Sequence, residues 1–135
     1  MVAVAILGIL FLVYQANKEP SFNPPPPRPK PVPVNLSYQE LRQYDGVSNP
    51  KVYVALKGII YDVSSSDFYS VGGGYHQFAG HDASVNLAKM SHDDQFLNKY
   101  GQITLDKEET GVLNDWVMRF ESKYHRVGEV VNSDK

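Results

Sequence analysis

The residues that could do chemistry in this 135-residue chain are phenols and imidazoles near a run of three glycines. Tyr69 and Tyr75 stand on either side of Gly72-Gly73-Gly74, and His92 follows further along. Consecutive glycines allow backbone shapes closed to other residues and indicate a tightly packed loop. A phenol has a pKa of about 10, so it is neutral at pH 7 unless a strong Lewis acid binds it. Spacing alone favours half-buried packing aromatics over metal ligands.

Composition excludes several classes of function. The chain has no cysteine, which rules out disulfides, cysteine-ligated zinc, iron–sulfur clusters and thiol catalysis. The GxxxxGK[ST], HExxH and GxSxG motifs are absent, and the glycine run lacks the GxGxxG spacing. A formal net charge of −2 argues against nucleic-acid binding. We therefore expect no nucleic-acid partner and no dinucleotide-binding site.

The chain divides by composition into four parts. Residues 1–17 carry no charged side chain and are mostly apolar, and residues 18–33 form a proline-rich linker. Such a linker is an extended, semi-rigid spacer. Residues 34–131 have the mixed composition of a globular domain, and residues 132–135 are a short tail.

The apolar start is interpreted as a membrane anchor, with a cleaved signal peptide as the alternative. It is at the short end of the roughly 17–25 residues that a spanning helix needs. A signal peptide would have a basic beginning and a small-x-small cleavage site, and bulky Tyr14 stands where a small residue would be needed before Ala16. Basic residues such as Lys18 and Arg28 follow the segment, which favours a cytoplasmic domain.

Local patterns predict an α+β domain with a small sheet and short helices. A capping box at Ser37–Glu40 predicts a short helix, and two β-rich runs around Lys57-Gly58 predict a hairpin. We expect Asp82 to cap a helix that carries Ala83, Leu87 and Met90, and apolar spacing predicts a longer helix over residues 106–124. Gly128 is expected to break this longer helix before a final edge strand at Val130-Val131.

Three motifs in order carry a resemblance to a known family. They are KGxxYDV at residues 57–63, FY…GG.Y..FAG.DAS at residues 68–84, and a late NDW…F…KY helix followed by VG. From about Leu36 to Val131 the chain resembles the cytochrome b5-like haem/steroid-binding domain of the membrane-associated progesterone receptor family. The resemblance implies a small sheet whose short helices wall a haem cleft.

The resemblance also implies a site built on a tyrosine. The chain lacks the HPGG motif that carries the first haem histidine of cytochrome b5. Tyr75 matches the phenolate axial ligand, and Tyr69 the tyrosine that supports it by hydrogen bonding. Lys123 and Tyr124 match residues that complete the pocket, and we expect Gly73 to let the backbone lie close to the macrocycle.

Two departures from the family pattern bear on this site. Val71 and Gly74 stand where the family usually places proline beside the glycine loop. His92 lies ten residues after Asp82, where cytochrome b5 carries its second haem histidine. A polar surface residue is the simpler interpretation of His92, and a second iron ligand opposite Tyr75 is the alternative.

The function implied by the resemblance is that of a non-catalytic haem-binding adaptor. It would hold ferric b-type haem at the endoplasmic reticulum membrane, single-pass with its domain in the cytoplasm. It would support haem-thiolate monooxygenases of sterol synthesis and act as a haem donor to them. The alternatives are a cytochrome b5-like electron carrier and a secreted signalling domain. A five-coordinate site would leave a face open for a haem-stacked homodimer, and no residue in the chain points to a steroid site.

Overall fold

The computed structural model describes residues 24–26 and 33–131. The chain divides into two units, Met1–Lys30 and Pro31–Lys135, and all the elements below lie in the second. They are, in order, β1 (Val34–Leu36), α1 (Tyr38–Leu41), β2 (Tyr53–Leu56), β3 (Ile59–Asp62), a 3₁₀ turn (His76–Phe78), α2 (Ser84–Lys89), a second 3₁₀ turn (Asp94–Phe96), α3 (Lys107–Lys123) and β4 (His125–Val130). The α+β class predicted from the sequence is confirmed.

The two capping boxes at the helix starts explain where α1 and α3 begin. The Ser37 hydroxyl accepts a hydrogen bond from the Glu40 N–H, and the Glu40 side chain accepts one from the Ser37 N–H, both at 3.1 Å. Asp106 and Glu109 make the same exchange at 2.8 and 3.0 Å. Each box satisfies two N–H groups that a helix start otherwise leaves unpaired.

The predicted hairpin of β2 and β3 is confirmed. Its two turn residues, Lys57 and Gly58, have φ values of +52° and +75°. Two positive φ values are typical of the type I′ turn, whose twist matches that of paired antiparallel strands.

The four-stranded sheet has the order β1-β4-β3-β2, with β1 parallel to β4 and the other pairs antiparallel. The prediction that Gly128 ends the long helix and precedes an edge strand is wrong, because α3 ends at Lys123 and β4 begins at His125. Gly128 lies inside β4, and β4 lies between β1 and β3. A Cβ at Gly128 would overlap the carbonyl oxygen of Val34, its partner across the parallel pair. This glycine therefore permits close approach of two strands.

Asp82 does more than the predicted cap. The N-cap residue of α2 is Ala83, while the buried Asp82 carboxylate accepts hydrogen bonds from the Ser84 N–H at 2.8 Å and the Gly58 N–H at 3.1 Å. Burial raises the pKa of this carboxyl above its ordinary value. Asp82 thus joins the hairpin turn to α2. Met90 is not on the inward face of α2, since it caps the helix in a left-handed conformation and is 81% exposed.

The hairpin separates two apolar clusters because successive strand residues point to opposite faces. Tyr53 and Ala55 pack on one side with Leu36 and Leu41. Val54 and Leu56 pack on the other side, in a larger cluster that also includes Tyr61, Tyr69, Phe78, Leu87 and Phe120. The larger cluster, which includes Tyr69 and Phe120, supports the candidate site described below.

The predicted membrane anchor at residues 1–17 and most of the linker lie outside the described residues. Among residues 24–26 and 33–131, no helix is long and apolar enough to cross a membrane.

We predict that Gly128→Ala lowers the free energy of unfolding by roughly 1–3 kcal/mol or more, because the new methyl group forces β1 away from β4. Gly111→Ala is the matched control: it lies in α3 with open space at the Cβ position and should stabilise the chain by about 0.5–1 kcal/mol. Urea denaturation of the two variants and the parent chain measures both effects. Equal midpoints for the two variants would contradict the assigned role of Gly128.

Candidate functional site

A loop that folds back on itself holds the two tyrosines. The Tyr75 N–H donates to the Phe68 carbonyl and the Gly73 N–H to the Ser70 carbonyl, both at 2.8 Å. A Cβ at Gly73 would overlap the carbonyl oxygens of Asp67 and Phe68. The missing side chain of Gly73 therefore lets the loop close on its own backbone, which differs from the predicted contact with a macrocycle.

A cavity of about 460 Å³ opens between this loop and the C-terminal half of α3. Its lining is aromatic with two cations, and consists of Phe68, Tyr69, Tyr75, Trp116, Arg119, Phe120, Ser122, Lys123 and Tyr124. Four of the residues predicted for the site thus meet in one cavity: Tyr69, Tyr75, Lys123 and Tyr124. Gly73 and His92 do not line it.

Tyr69 is held by aromatic contacts on both sides. Its ring centroid lies 5.8 Å from that of Phe120 and 6.4 Å from that of Tyr124, both edge-to-face, and 5.9 Å from that of Tyr75. Edge-to-face pairs at such distances are favourable beyond the area that they bury. Only 3% of Tyr69 is exposed. The phenol of Tyr69 therefore has a well-defined position beside Tyr75.

Burial gives the two neighbouring phenols different environments. Desolvation, followed by the nearby Tyr124 and Tyr75 phenols, raises the pKa of Tyr69 far above its ordinary value. Tyr69 therefore stays a neutral hydrogen-bond donor at physiological pH. Tyr75 is only half-buried and is the more accessible of the two to a ligand in the cavity.

The two cations of the cavity come from the last turns of α3. Arg119 lies over the ring of Trp116, with its guanidinium carbon 5.3 Å from the ring centroid. Arg119 and Lys123 are both exposed, so they place positive charge at the rim without a desolvation cost. The cavity is therefore suited to a flat apolar ligand with anionic substituents.

His92 lies beside Tyr75 but faces a different cavity. The two rings are parallel within 8° at a centroid distance of 5.6 Å. His92 lines a second cavity of about 200 Å³, which shares only Tyr75 and Trp116 with the first. The structure thus places the His92 ring against that of Tyr75, the residue predicted to bind iron, and not on the opposite side of the larger cavity.

Sequence reasoning missed Trp116, Arg119 and Phe68 as site residues. A signal was available, since Trp116, Arg119 and Lys123 are spaced at i, i+3 and i+7 and so share a helix face. The apolar spacing that predicted the helix over residues 106–124 has the same periodicity. Which side of that face borders a cavity depends on the loop packed against it.

Metal clusters of the usual kind are not part of this site. Within residues 24–26 and 33–131, no group of three or more His, Cys, Asp or Glu side chains could hold a metal ion.

The sequence and fold match a family of known proteins. Residues 37–131 match the family described as "Cytochrome b5-like Heme/Steroid binding domain". The solution structure of an Arabidopsis protein described as steroid-binding has a TM-score of 0.65 to this chain at 40% sequence identity, covering 75% of this chain and all of that one. The chain thus has the cytochrome b5-like fold.

Two curated relatives place the chain more closely. Cytochrome P450 regulator dap1 of Schizosaccharomyces pombe is 36% identical over 97% of this chain and 83% of its own length. Membrane-associated progesterone receptor component 2 of Homo sapiens is 37% identical over 72% of this chain and 45% of its own length. The chain belongs to the cytochrome b5-like heme/steroid-binding family, in its membrane-associated progesterone receptor group.

We predict that Gly73→Ala distorts the site loop and lowers the free energy of unfolding by about 1–3 kcal/mol, because its methyl group meets backbone that cannot rotate away. Gly74→Ala is the matched control, with nothing within 4 Å of the added carbon. Urea denaturation, with aromatic NMR shifts of Tyr69 and Tyr75, separates the two variants. Native-like shifts in Gly73→Ala would show that the loop does not need this glycine.

Proposed function

We propose that this chain binds ferric b-type haem in the larger cavity, with the Tyr75 phenolate as axial ligand. One observation carries the proposal: a half-buried phenol, two rim cations and an aromatic lining meet in the same cavity. A porphyrin is flat and apolar with two carboxylates, so this lining fits its chemistry. The family described as heme/steroid-binding supports the same ligand class.

Each lining residue has a role that follows from its chemistry. Tyr75 supplies an anionic oxygen, and the ferric ion of bound haem would supply the Lewis acidity that keeps this phenol deprotonated. Tyr69, whose pKa burial raises, would donate a hydrogen bond to that oxygen. Arg119 and Lys123 would pair with the carboxylates. Trp116 would pack against the ring system.

The donor set separates this site from that of an electron carrier. A bis-histidine site needs two imidazoles on opposite faces of the haem, and His92 instead packs on the ring of Tyr75. An anionic oxygen ligand stabilises the ferric state and lowers the reduction potential. We therefore assign a non-catalytic role in which haem is held rather than cycled between oxidation states.

The adaptor role rests on a relative and on the order of segments. The Schizosaccharomyces pombe relative is named as a cytochrome P450 regulator and matches nearly the whole chain. We propose that this chain likewise supports haem-thiolate monooxygenases of sterol synthesis at the endoplasmic reticulum membrane. Residues 1–17 would anchor it with the domain in the cytoplasm, and residues 18–33 would set its reach.

We predict that hemin added to the purified chain gives a high-spin ferric absorption spectrum, and that Tyr75→Phe abolishes the phenolate charge-transfer band and weakens binding at least tenfold. Phenylalanine keeps the ring packing and removes only the ligand oxygen. Tyr100→Phe is the control, since Tyr100 does not line the cavity. Tyr75→Phe with the parental spectrum and affinity would remove Tyr75 as the ligand.

We predict a reduction potential for the haem-loaded chain well below that of a bis-histidine haem, because the phenolate favours Fe(III). Spectroelectrochemical titration measures it, with a cytochrome b5 as the reference sample. A reversible couple close to the reference would favour the electron carrier over the adaptor.

A further inference from the structure

Three rings stack beside the larger cavity. The ring of His92 is parallel to that of Tyr75 within 8° at 5.6 Å, and to that of Phe78 within 16° at 5.5 Å. Tyr75 and Phe78 are themselves parallel within 11° at 5.8 Å. Phe78 is buried in the core and holds the other two rings in place. The exposed imidazole of His92 is therefore fixed against Tyr75, the residue predicted to bind iron.

The loop that carries His92 is held by side-chain amides from two other elements. Three successive carbonyls, those of Ser91, His92 and Asp93, all accept hydrogen bonds from such amides. Asn86 of α2 donates to the first and third at 3.2 and 2.9 Å. Gln77 of the 3₁₀ turn donates to the second. An ordinary surface loop does not need three such contacts, and Asn86 is completely buried.

Gln77 also fixes the imidazole itself. Its Oε1 lies 3.1 Å from His92 Nδ1, while its Nε2 donates to the His92 carbonyl and to Asp94 Oδ1. Because the amide nitrogen already faces two acceptors, Oε1 is the acceptor and Nδ1 carries the proton. The orientation of the His92 ring is therefore determined from outside the site.

Tyr75 stands between His92 and the larger cavity. Among the residues that the structure describes, Tyr75 and Trp116 alone line both cavities, and His92 lines the smaller one. The imidazole thus restricts rotation of the Tyr75 ring from the side that the proposed haem does not use.

We propose that His92, clamped by Gln77 and the Asn86-held loop, is a positioning residue that sets the orientation of Tyr75 toward haem. The proposal rests on the haem-binding function proposed above. His92 acts through Tyr75 and makes no bond to iron. The contact between the His92 and Tyr75 rings is a single aromatic pair. Its loss corresponds to a change of about 2- to 12-fold in the affinity for hemin.

The test compares His92→Ala, His92→Phe and Gln77→Ala with the parent chain. Hemin affinity comes from absorption titration, the ligand field from the charge-transfer band and paramagnetic resonance, and the Tyr75 ring from aromatic NMR of the hemin-free chain. His125→Ala is the control, because His125 is exposed on β4 and lines neither cavity. Far-UV circular dichroism verifies that each variant is folded.

We expect His92→Ala to weaken hemin binding by about 2- to 12-fold, move the charge-transfer band and broaden the Tyr75 ring signals. His92→Phe keeps the ring contact with Tyr75 and should restore the affinity, the band position and the ring signals. Gln77→Ala should lose part of the hemin affinity. Parental values for affinity, band and ring signals in His92→Ala would overturn the positioning role alone. A low-spin parent that His92→Ala converts to high-spin would overturn it in favour of iron ligation. A parent chain that binds no hemin would overturn the proposed function as well.

Discussion

The packing of Tyr69 against the end of α3 is the contact on which the site depends. Its ring meets Phe120 and Tyr124 edge-to-face and joins the loop over residues 67–75 to the helix. Tyr75 of the same loop adds an edge-to-face contact with Trp116 of α3, at a centroid distance of 6.4 Å, so the loop and the helix together form the wall of the cavity. Because Phe120 also belongs to the larger apolar cluster of the domain, the site is packed directly against the core.

This contact also makes the two phenols differ in burial and in access to the cavity. Burial that holds Tyr69 in place opposes its ionisation, and the neighbouring Tyr75 keeps access to the cavity. Unequal solvent exposure thus gives two residues of the same type different environments. Histidines in the same region face elsewhere: His76 contacts the Asp45 carbonyl, and His81 contacts Asn98.

The fold itself does not determine this chemistry. Chains that share the cytochrome b5-like architecture can present imidazoles or a phenol to the same cleft, since function depends on the side chains placed around it. Here the glycine-rich loop positions a tyrosine at the cleft, and the late helix adds two cations. The side chains that line the cavity of this chain therefore come from one loop and one helix face.

The sequence by itself determined the elements and most of the site. Capping residues, the Lys57-Gly58 turn and the apolar spacing of α3 are local signals, and the motifs around Tyr69, Tyr75 and Lys123-Tyr124 indicated the family. Only the tertiary structure decided the surroundings of Gly73, Gly128 and His92. Each depends on a partner distant in sequence or on backbone that returns to it: a loop closing on itself, a parallel strand starting at Val34, and a ring held by Gln77. Local patterns report what a residue can do, whereas these contacts exist only after the chain has folded.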